Sequence, residues 1–397
     1  MNVVLVSYSY PPSEGPAGER IYFFAKKLSD KKINVVILSA NSGGERHYPD
    51  LDNVKHIQVG ELVDLRYKSG FSLAKKVISF FKLKFHILKS FKFLFDLTPH
   101  GRWKNEVLNK IKSGHIRLPN QVDFVISSFP DRSSVDVGKV IANQYKAKWI
   151  IDYRDLWALN HYSDHSSITK LYLGWKEKLI IKNSCALIFA SDGLMSDFKT
   201  YFNLPTKMLS IYNGYNPLDQ KRKEPRNLDA PFSIVYTGSL YGGKRDISPF
   251  FKLLDEIPDS VFKICLLSKY ADSDYIESII PDHLSNRILI RYEVPHNETI
   301  ELQKSADILA LVVTNDGIDF SYPTAKIFEY MKAGVEIVSN ARPGSEIDKI
   351  LLETKSGCLI DNYIAKGQNP EFNKRNILKY SREVQNEKLY NLLISLK

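Results

Sequence analysis

The chain has 397 residues, 44% of them hydrophobic and 25% charged, which is too long for one small core and too apolar for a disordered chain. Its formal net charge is +10, so an anionic partner is expected: nucleotide phosphates, nucleic acid or an anionic membrane surface. The three cysteines, Cys185, Cys265 and Cys358, lie far apart without CxxC spacing, which argues against a disulfide framework or a zinc site and fits a reducing cytoplasm.

The opening, MNVVLVSYSYPP, has no basic n-region and only a short apolar run, so it reads as a first strand, Asn2–Ser9, rather than a signal peptide. No run of about 20 apolar residues occurs, and no membrane span is expected. A loop with Pro and Gly, PPSEGPAGER, leads to a helical stretch with Ile21, Phe24, Ala25 and Leu28 on one stripe. A second buried-type strand follows at Asn34–Ala40. This β-loop-α-β start is the unit of a parallel sheet. Further strands are expected at Phe124–Ser127, Trp149–Asp152 and Ala186–Ala190, giving a doubly wound sheet over residues 1–215.

Asn213-Gly214 is a turn signal, and the polar, Pro-bounded stretch 216–231 reads as a linker. A second, smaller α/β domain over 216–375 is expected. Its strands would be Phe232–Thr237, Phe262–Leu267, Ile288–Tyr292, Ile308–Val313 and Glu336–Ser339, with a helix at Pro249–Glu256. The remainder, 376–397, ends in a helix over Tyr380–Lys397. Ser381 would be its N-cap, and its stripe of Val384, Leu389, Tyr390 and Leu393 needs a surface to cover it, the first domain being a candidate.

Ligands of open α/β sheets bind beyond the carboxyl ends of the strands, so the loops after the strands carry the candidate chemistry. In PPSEGPAGER, Gly15 and Gly18 would let amides approach an anion at a helix N-terminus; a plain Pro/Gly turn is an equal reading. In TGSLYGGKRD, Gly238 ends a strand, and Lys244 and Arg245 follow a flexible Gly242-Gly243 turn. Two cations there would neutralise a diphosphate, or else they are solvated surface charges. DYRDLW packs Asp152, Arg154 and Asp155 at a strand end. There an Asp either clamps Arg154 or serves acceptor hydroxyls, as ligand or base. His161 and His165 read as surface residues, and Asp272–Asp274 (DSD) reads as a plain polar loop rather than a metal site. SYPTAKIFEYMKAG reads as a helix with Ser321 or Thr324 as cap and Gly334 as stop. Tyr322, Lys326 and Glu329 would share one face, either as a surface with a Lys–Glu pair or as the wall of a ligand site.

Residues 68–97 hold seven Lys and one Asp, with Lys68, Lys75, Lys82 and Lys89 seven apart beside a Phe-rich stripe. That pattern suits a helix lying on an anionic membrane face, or one packed on the sheet with a solvated Lys edge. No nucleic-acid recognition fold accompanies it, so nucleic acid is not expected as a partner.

Taken together, PPSEGPAGERIYFFAKKL, IIDYRDLW, IYNGYNP, IVYTGSLYGGKRD, VPHNETIELQKSADILAL and PTAKIFEYMKAG resemble, in order and over residues 1–360, the GT-B glycosyltransferases of the retaining group 1 family (family 4), bacterial surface-polysaccharide branch. The resemblance implies two Rossmann-like domains facing a central cleft, with a nucleotide-sugar donor held by the second. It implies that Lys244 and Arg245 meet the diphosphate and that Glu329, the second Glu of an E-x7-E motif, meets the ribose. Amides at the Tyr322–Pro323–Thr324 turn and Lys326 would complete the donor site, with Gly15 approaching from the first domain and Gly238 at the strand end. Transfer would be retaining and metal-independent, with no cofactor, since the nucleotide sugar is a substrate. The acceptor would be a glycan, polyprenyl-diphosphate-linked, in capsule or O-antigen synthesis, with the enzyme peripheral on the cytoplasmic face of the membrane through 68–97. Ser321 stands where the motif's first Glu would fall, and RDLW replaces the branch's RDPW; Arg154 or Asp155 lies near the place where many relatives carry a His. A nucleotide-sugar epimerase of the same fold, or a catalytically silent nucleotide-sugar-binding scaffold, is the alternative.

Overall fold

The computed structural model describes residues 1–12, 16–41, 48–61, 99–160, 167–217, 230–267, 269–314 and 321–397. Gly15, His161, His165, the basic segment 68–97 and most of the expected linker, 218–229, lie outside the described residues. The chain divides into two compact units: residues 1–190, 202–210 and 386–397 form the first, and residues 191–201 and 211–385 the second.

The first unit is built on β1 (Asn2–Val6), β2 (Asn34–Asn41), β3 (Val54–Glu61), β4 (Phe124–Phe129), β5 (Lys148–Tyr153), β6 (Ala186–Phe189) and β7 (Lys207–Ser210). They lie in the order β3-β2-β1-β4-β5-β6-β7, and every pair is parallel. The central strands are near-continuous apolar runs because helices cover both faces of a parallel sheet; Val4, Leu5, Ile37, Val125 and Ile150 are fully buried. The stripe Ile21, Phe24, Ala25 and Leu28 of the helix Pro16–Asp30 is buried as its spacing requires.

The second unit repeats the plan with β8 (Phe232–Gly238), β9 (Ser260–Leu266), β10 (Ile288–Tyr292), β11 (Ile308–Leu311), β12 (Glu336–Ser339) and β13 (Gly357–Leu359). Their order is β10-β9-β8-β11-β12-β13, again all parallel. In both sheets the winding reverses between the first and fourth strands, at β1/β4 and at β8/β11. Such a reversal leaves a crevice at the carboxyl ends of the two strands, because the connecting helices leave them toward opposite faces.

Three strands were not anticipated from the sequence. β3, which carries Lys55, His56 and Gln58, is an edge strand, while β7 and β13 are short edge strands of four and three residues. The final helix, Arg382–Leu396, begins after Ser381, whose Oγ accepts the Val384 N–H at 3.3 Å. Its buried apolar residues are Leu389, Leu392 and Leu393, with Gln385 and Asn386 also buried; Val384, expected on the covered stripe, is exposed instead. Within the first unit, Lys27 pairs with Glu387 at 3.0 Å, Asn386 Nδ2 donates to the Phe23 carbonyl at 3.2 Å, and Lys148 donates to the Leu396 carbonyl. Among the described residues no helix is long and apolar enough to cross a membrane.

Candidate functional site

The β8/β11 reversal in the second unit brings Gly238, Arg245, Lys326 and Glu329 into one neighbourhood. β8 ends at Gly238 with φ +144°, a backbone conformation that L side chains rarely adopt. A Cβ built there would lie 2.3 Å from Cε and 3.0 Å from Nζ of Lys326, so the missing side chain is what lets the ammonium reach the strand end. Lys326 opens the helix Lys326–Ala333, which stops at Gly334 in a left-handed C-cap (φ +76°). Ile327 N–H already donates to the Thr324 carbonyl at 3.1 Å, so the chain coils from Thr324 onward. Ala325 occupies the cap position, and Thr324 Oγ1 accepts the Lys326 N–H at 3.4 Å, so Thr324 rather than Ser321 serves the first turn; Tyr322 precedes the helix rather than sharing its face. Tyr322, Pro323 and Thr324 form a half-buried turn at the positive end of the helix dipole, where the Lys326, Ile327 and Phe328 amides bond Thr324 Oγ1 and the Thr324 and Ala325 carbonyls.

The expected Lys326–Glu329 pair is not made among the described residues. Glu329 Oε1 instead accepts from Gln303 Nε2 at 2.5 Å, and the same amide donates to Thr237 Oγ1 at 2.9 Å. Gln303 comes from the helix His296–Ser305 and is buried, so both its N–H donors are spent fixing Glu329 against β8. Tyr330 adds to the same lattice, its hydroxyl accepting Thr237 N–H at 3.1 Å. Burial depresses the pKa of the Lys326 ammonium, and the nearby Arg245 depresses it further, while Glu329 opposes the shift. Arg245 donates through Nη1 to the Ser239 carbonyl at 3.3 Å and stacks 4.8 Å from the Tyr241 ring; its Nε is buried without a partner. Lys244 is exposed on the same turn. Among the described residues, no carboxylate bridges the two cations at the end of β8, an arrangement that favours an anion.

The turn bearing them is held from behind by an acid. Asp272 is fully buried; Oδ2 accepts from Ser239 Oγ and Leu240 N–H, both at 2.9 Å, and Oδ1 accepts Gly242 N–H at 2.9 Å. Asp272 therefore does not sit in a plain loop: it lies in the helix Lys269–Ile279 and organises the whole turn. Gly243 (φ +92°) passes over the Tyr275 ring, where a Cβ would come within 2.7 Å of ring carbons. Asn340, after β12, accepts Val313 N–H at 2.9 Å and donates to the Asp246 carbonyl at 3.0 Å, tying the ends of β11 and β12 to the turn. Ser321 is buried, with its carbonyl accepting from Ser191 Oγ at 2.6 Å. A Cβ on Gly193 would lie 2.5 Å from Ser321 Cα, so that glycine permits the close approach.

In the first unit, Arg154 and Asp155 leave the carboxyl end of β5. Neither partners Asp152, which is fully buried and takes the Arg20 guanidinium at 2.7 Å and Ser128 Oγ at 3.2 Å. The cation clamped by Asp152 is thus Arg20, a residue on the core side of the first helix, and Arg154 is left to the neighbouring charge of Asp155. Arg154 Nε donates to the Phe129 carbonyl at 3.1 Å. Burial raises the Asp155 pKa and Arg154 opposes the rise. Beside them, Glu177 is buried; its Oε2 accepts Ala158 N–H at 2.9 Å, and burial pushes its pKa up to about 7, the Ala158 amide and the Tyr153 hydroxyl opposing the rise. Among the described residues, the buried indole nitrogens of Trp103 and Trp157 lack acceptors, and Arg132 lies 5.2 Å over the Trp157 ring. Unsatisfied polar atoms at a sheet's carboxyl end are the pattern of a site that a polar ligand completes.

No family model matches the chain, and no curated protein matches it in sequence. Solved structures do match along the whole chain. Sucrose-phosphate synthase from Thermosynechococcus elongatus is similar with a TM-score of 0.66 at 14% identity, covering 100% of both chains. The α,α-trehalose 6-phosphate synthase from Burkholderia multivorans gives 0.64 at 11% identity, covering 100% of this chain and 98% of its own. A glycosyltransferase from Rickettsia africae gives 0.60 at 11%, covering 100% and 98%. The fold is GT-B: two α/β domains, each on a parallel sheet of Rossmann-like order.

Proposed function

We propose that the protein is a glycosyltransferase that moves a sugar from a nucleotide-sugar donor to a glycan acceptor. The observation that carries the reading is the pair of cations, Lys326 and Arg245, at the β8/β11 reversal, with Glu329 held beside them by Gln303. A nucleoside diphosphate fits that set. Arg245 and Lys326 would take the phosphate charge, with Lys244 reaching it from the same turn. The amides after Tyr322–Pro323–Thr324 would add a helix N-terminal field, and Glu329 Oε2 would accept from ribose hydroxyls. Gly238 would allow the backbone to approach the diphosphate.

In the reaction, the bond from the anomeric carbon to the diphosphate oxygen breaks and a bond to the acceptor hydroxyl oxygen forms. The negative charge that grows on the departing diphosphate is what the two cations stabilise, and they do so more strongly in the transition state than in the bound donor. The acceptor proton passes to the departing phosphate, so anomeric configuration is retained and no metal is needed. Arg154 and Asp155 are the acceptor-side candidates. The acceptor we favour is polyprenyl-diphosphate-linked, in capsule or O-antigen assembly at the cytoplasmic membrane face, with residues 68–97 as a membrane contact. Transfer from a panel of nucleotide sugars, with lipid-linked glycan supplied, tests the reading. Arg245→Ala and Lys244→Ala together should cut transfer by roughly 10²-fold or more. Full activity in that double variant would overturn the diphosphate assignment. Turnover of donor without transfer would indicate an epimerase, and binding without turnover a silent scaffold.

A further inference from the structure

The helix Ser167–Ile181 is apolar on both sides. Leu173, Gly174 and Ile181 face the core of the first unit. Ile168, Leu171, Tyr172, Trp175 and Leu179 recur at three- and four-residue steps on the opposite face, exposed by 80, 67, 37, 59 and 43%. The Trp175 and Tyr172 rings lie 6.2 Å apart, and Lys176 Nζ lies 4.8 Å from the Tyr172 ring. Lys176 borders the stripe on one flank; Lys178 and Lys182, both exposed, border it on the other. Glu177, the helix's one acid, is buried on the core side, so the helix contributes no negative charge to its outward face. A contiguous apolar stripe of this length marks a surface that something covers.

Charge decides what covers it. A two-fold pairing of two copies through this face would bring the same lysines together with no acid from the helix to neutralise them. An apolar stripe with aromatic residues and lysines along both edges is instead complementary to the boundary between anionic headgroups and acyl chains. We propose that the outward face of Ser167–Ile181 docks on an anionic lipid bilayer, with Trp175, Tyr172 and Leu171 entering the headgroup boundary and Lys176, Lys178 and Lys182 on lipid phosphates. This surface is separate from the one expected at 68–97, and it does not depend on the glycosyl-transfer reading.

The test uses the full chain and vesicles of phosphatidylcholine with or without phosphatidylglycerol. Of the four tryptophans, Trp103, Trp149 and Trp157 are 3, 3 and 6% exposed, so Trp175 reports the outward face. Anionic vesicles should shift the fluorescence to the blue, and Trp175→Phe should abolish that shift while vesicles still float the protein. Leu171→Gln with Trp175→Gln should weaken flotation by about tenfold or more, with circular dichroism and thermal midpoint unchanged. Changing Lys176, Lys178 and Lys182 to Gln should remove the preference for anionic lipid and flatten the dependence on salt. Undiminished flotation of the Leu171/Trp175 double variant would overturn the proposal, since lipid contact would then be made elsewhere. Failure of the wild type to bind anionic vesicles would overturn it too. So would self-association that the double variant abolishes, which would assign the stripe to a second copy.

Discussion

Replacing Lys326 with Met should make the unliganded protein more stable and less able to hold a nucleotide. The ammonium sits beside Gly238, where burial and Arg245 both disfavour its charge, and the near oxygen of Glu329 is engaged by Gln303. A methionine keeps most of the stem's volume and removes the poorly compensated charge. The gain should be about 0.5–2 kcal/mol, the usual yield when a site tuned for a ligand is relieved. For a domain of this size that is a rise in Tm of roughly 1–8 °C. The sign with pH follows from the direction of the shift. The folded-state pKa of Lys326 is depressed, so the cost is full below it and fades as pH rises from there toward 10.5; the advantage of the variant should shrink over that window. The ligand response runs the other way. A nucleoside diphosphate at about 100 Kd should stabilise the wild type by about 2.7 kcal/mol. Loss of one buried partner costs about 2–5 kcal/mol of binding, so the variant should show almost no stabilisation at the same concentration. Urea denaturation with and without nucleotide measures both quantities. A variant that is less stable than wild type, or that responds equally to nucleotide, would refute the reasoning.

Asp272→Ala strands three donors of the 239–242 turn, so it should cost about 2–4 kcal/mol in urea denaturation and lower nucleotide affinity without touching the ligand. Arg20→Ala leaves the buried Asp152 carboxylate without its cation and should cost about 3–5 kcal/mol; Arg20→Met with Asp152→Leu should restore most of that, as measured by thermal midpoints. Glu177, pushed up to about 7 from 4.5, holds its proton more tightly folded than unfolded, so its contribution to stability falls as pH rises across that interval. At 1.36 kcal/mol per unit the loss is on the order of 3 kcal/mol. Glu177→Gln should flatten that part of the pH–stability curve and be the more stable protein above pH 7.

The parallel sheets were legible because their central strands are apolar runs that only a doubly covered sheet can bury; Ile288–Tyr292, Glu336–Ser339 and the helix Pro249–Glu256 have the bounds that their sequences suggest. β3, β7 and β13 were not, since edge strands need bury less and can be short or polar. At the site, Gly238 could be found as a strand end, Arg245 as a loop residue after it, and Lys326 and Glu329 as one face of a short helix. What holds them could not be read in the same way. Asp272, Arg20 and Glu177 are charged residues, and charge at first suggests surface. Each nonetheless stands four residues from a core residue of its own helix, Asp272 from Ile276, Arg20 from Phe24 and Glu177 from Leu173 and Ile181. A charge on the buried stripe of a helix signals an internal partner, and that signal was present in the sequence. Gln303 is different: its role depends on Thr237 and Glu329, which only the tertiary fold brings together.

The central claim is that the end of β8 receives a nucleoside diphosphate. Calorimetric titration of the full chain with nucleoside diphosphates, beside inorganic phosphate and the matching nucleosides, tests it most directly. The account predicts saturable binding of a diphosphate at one site per chain, weakened at least about tenfold by Glu329→Ala through the ribose and more by Arg245→Ala through the phosphates. Absence of binding at millimolar nucleotide, or binding that Arg245→Ala leaves intact, would contradict it.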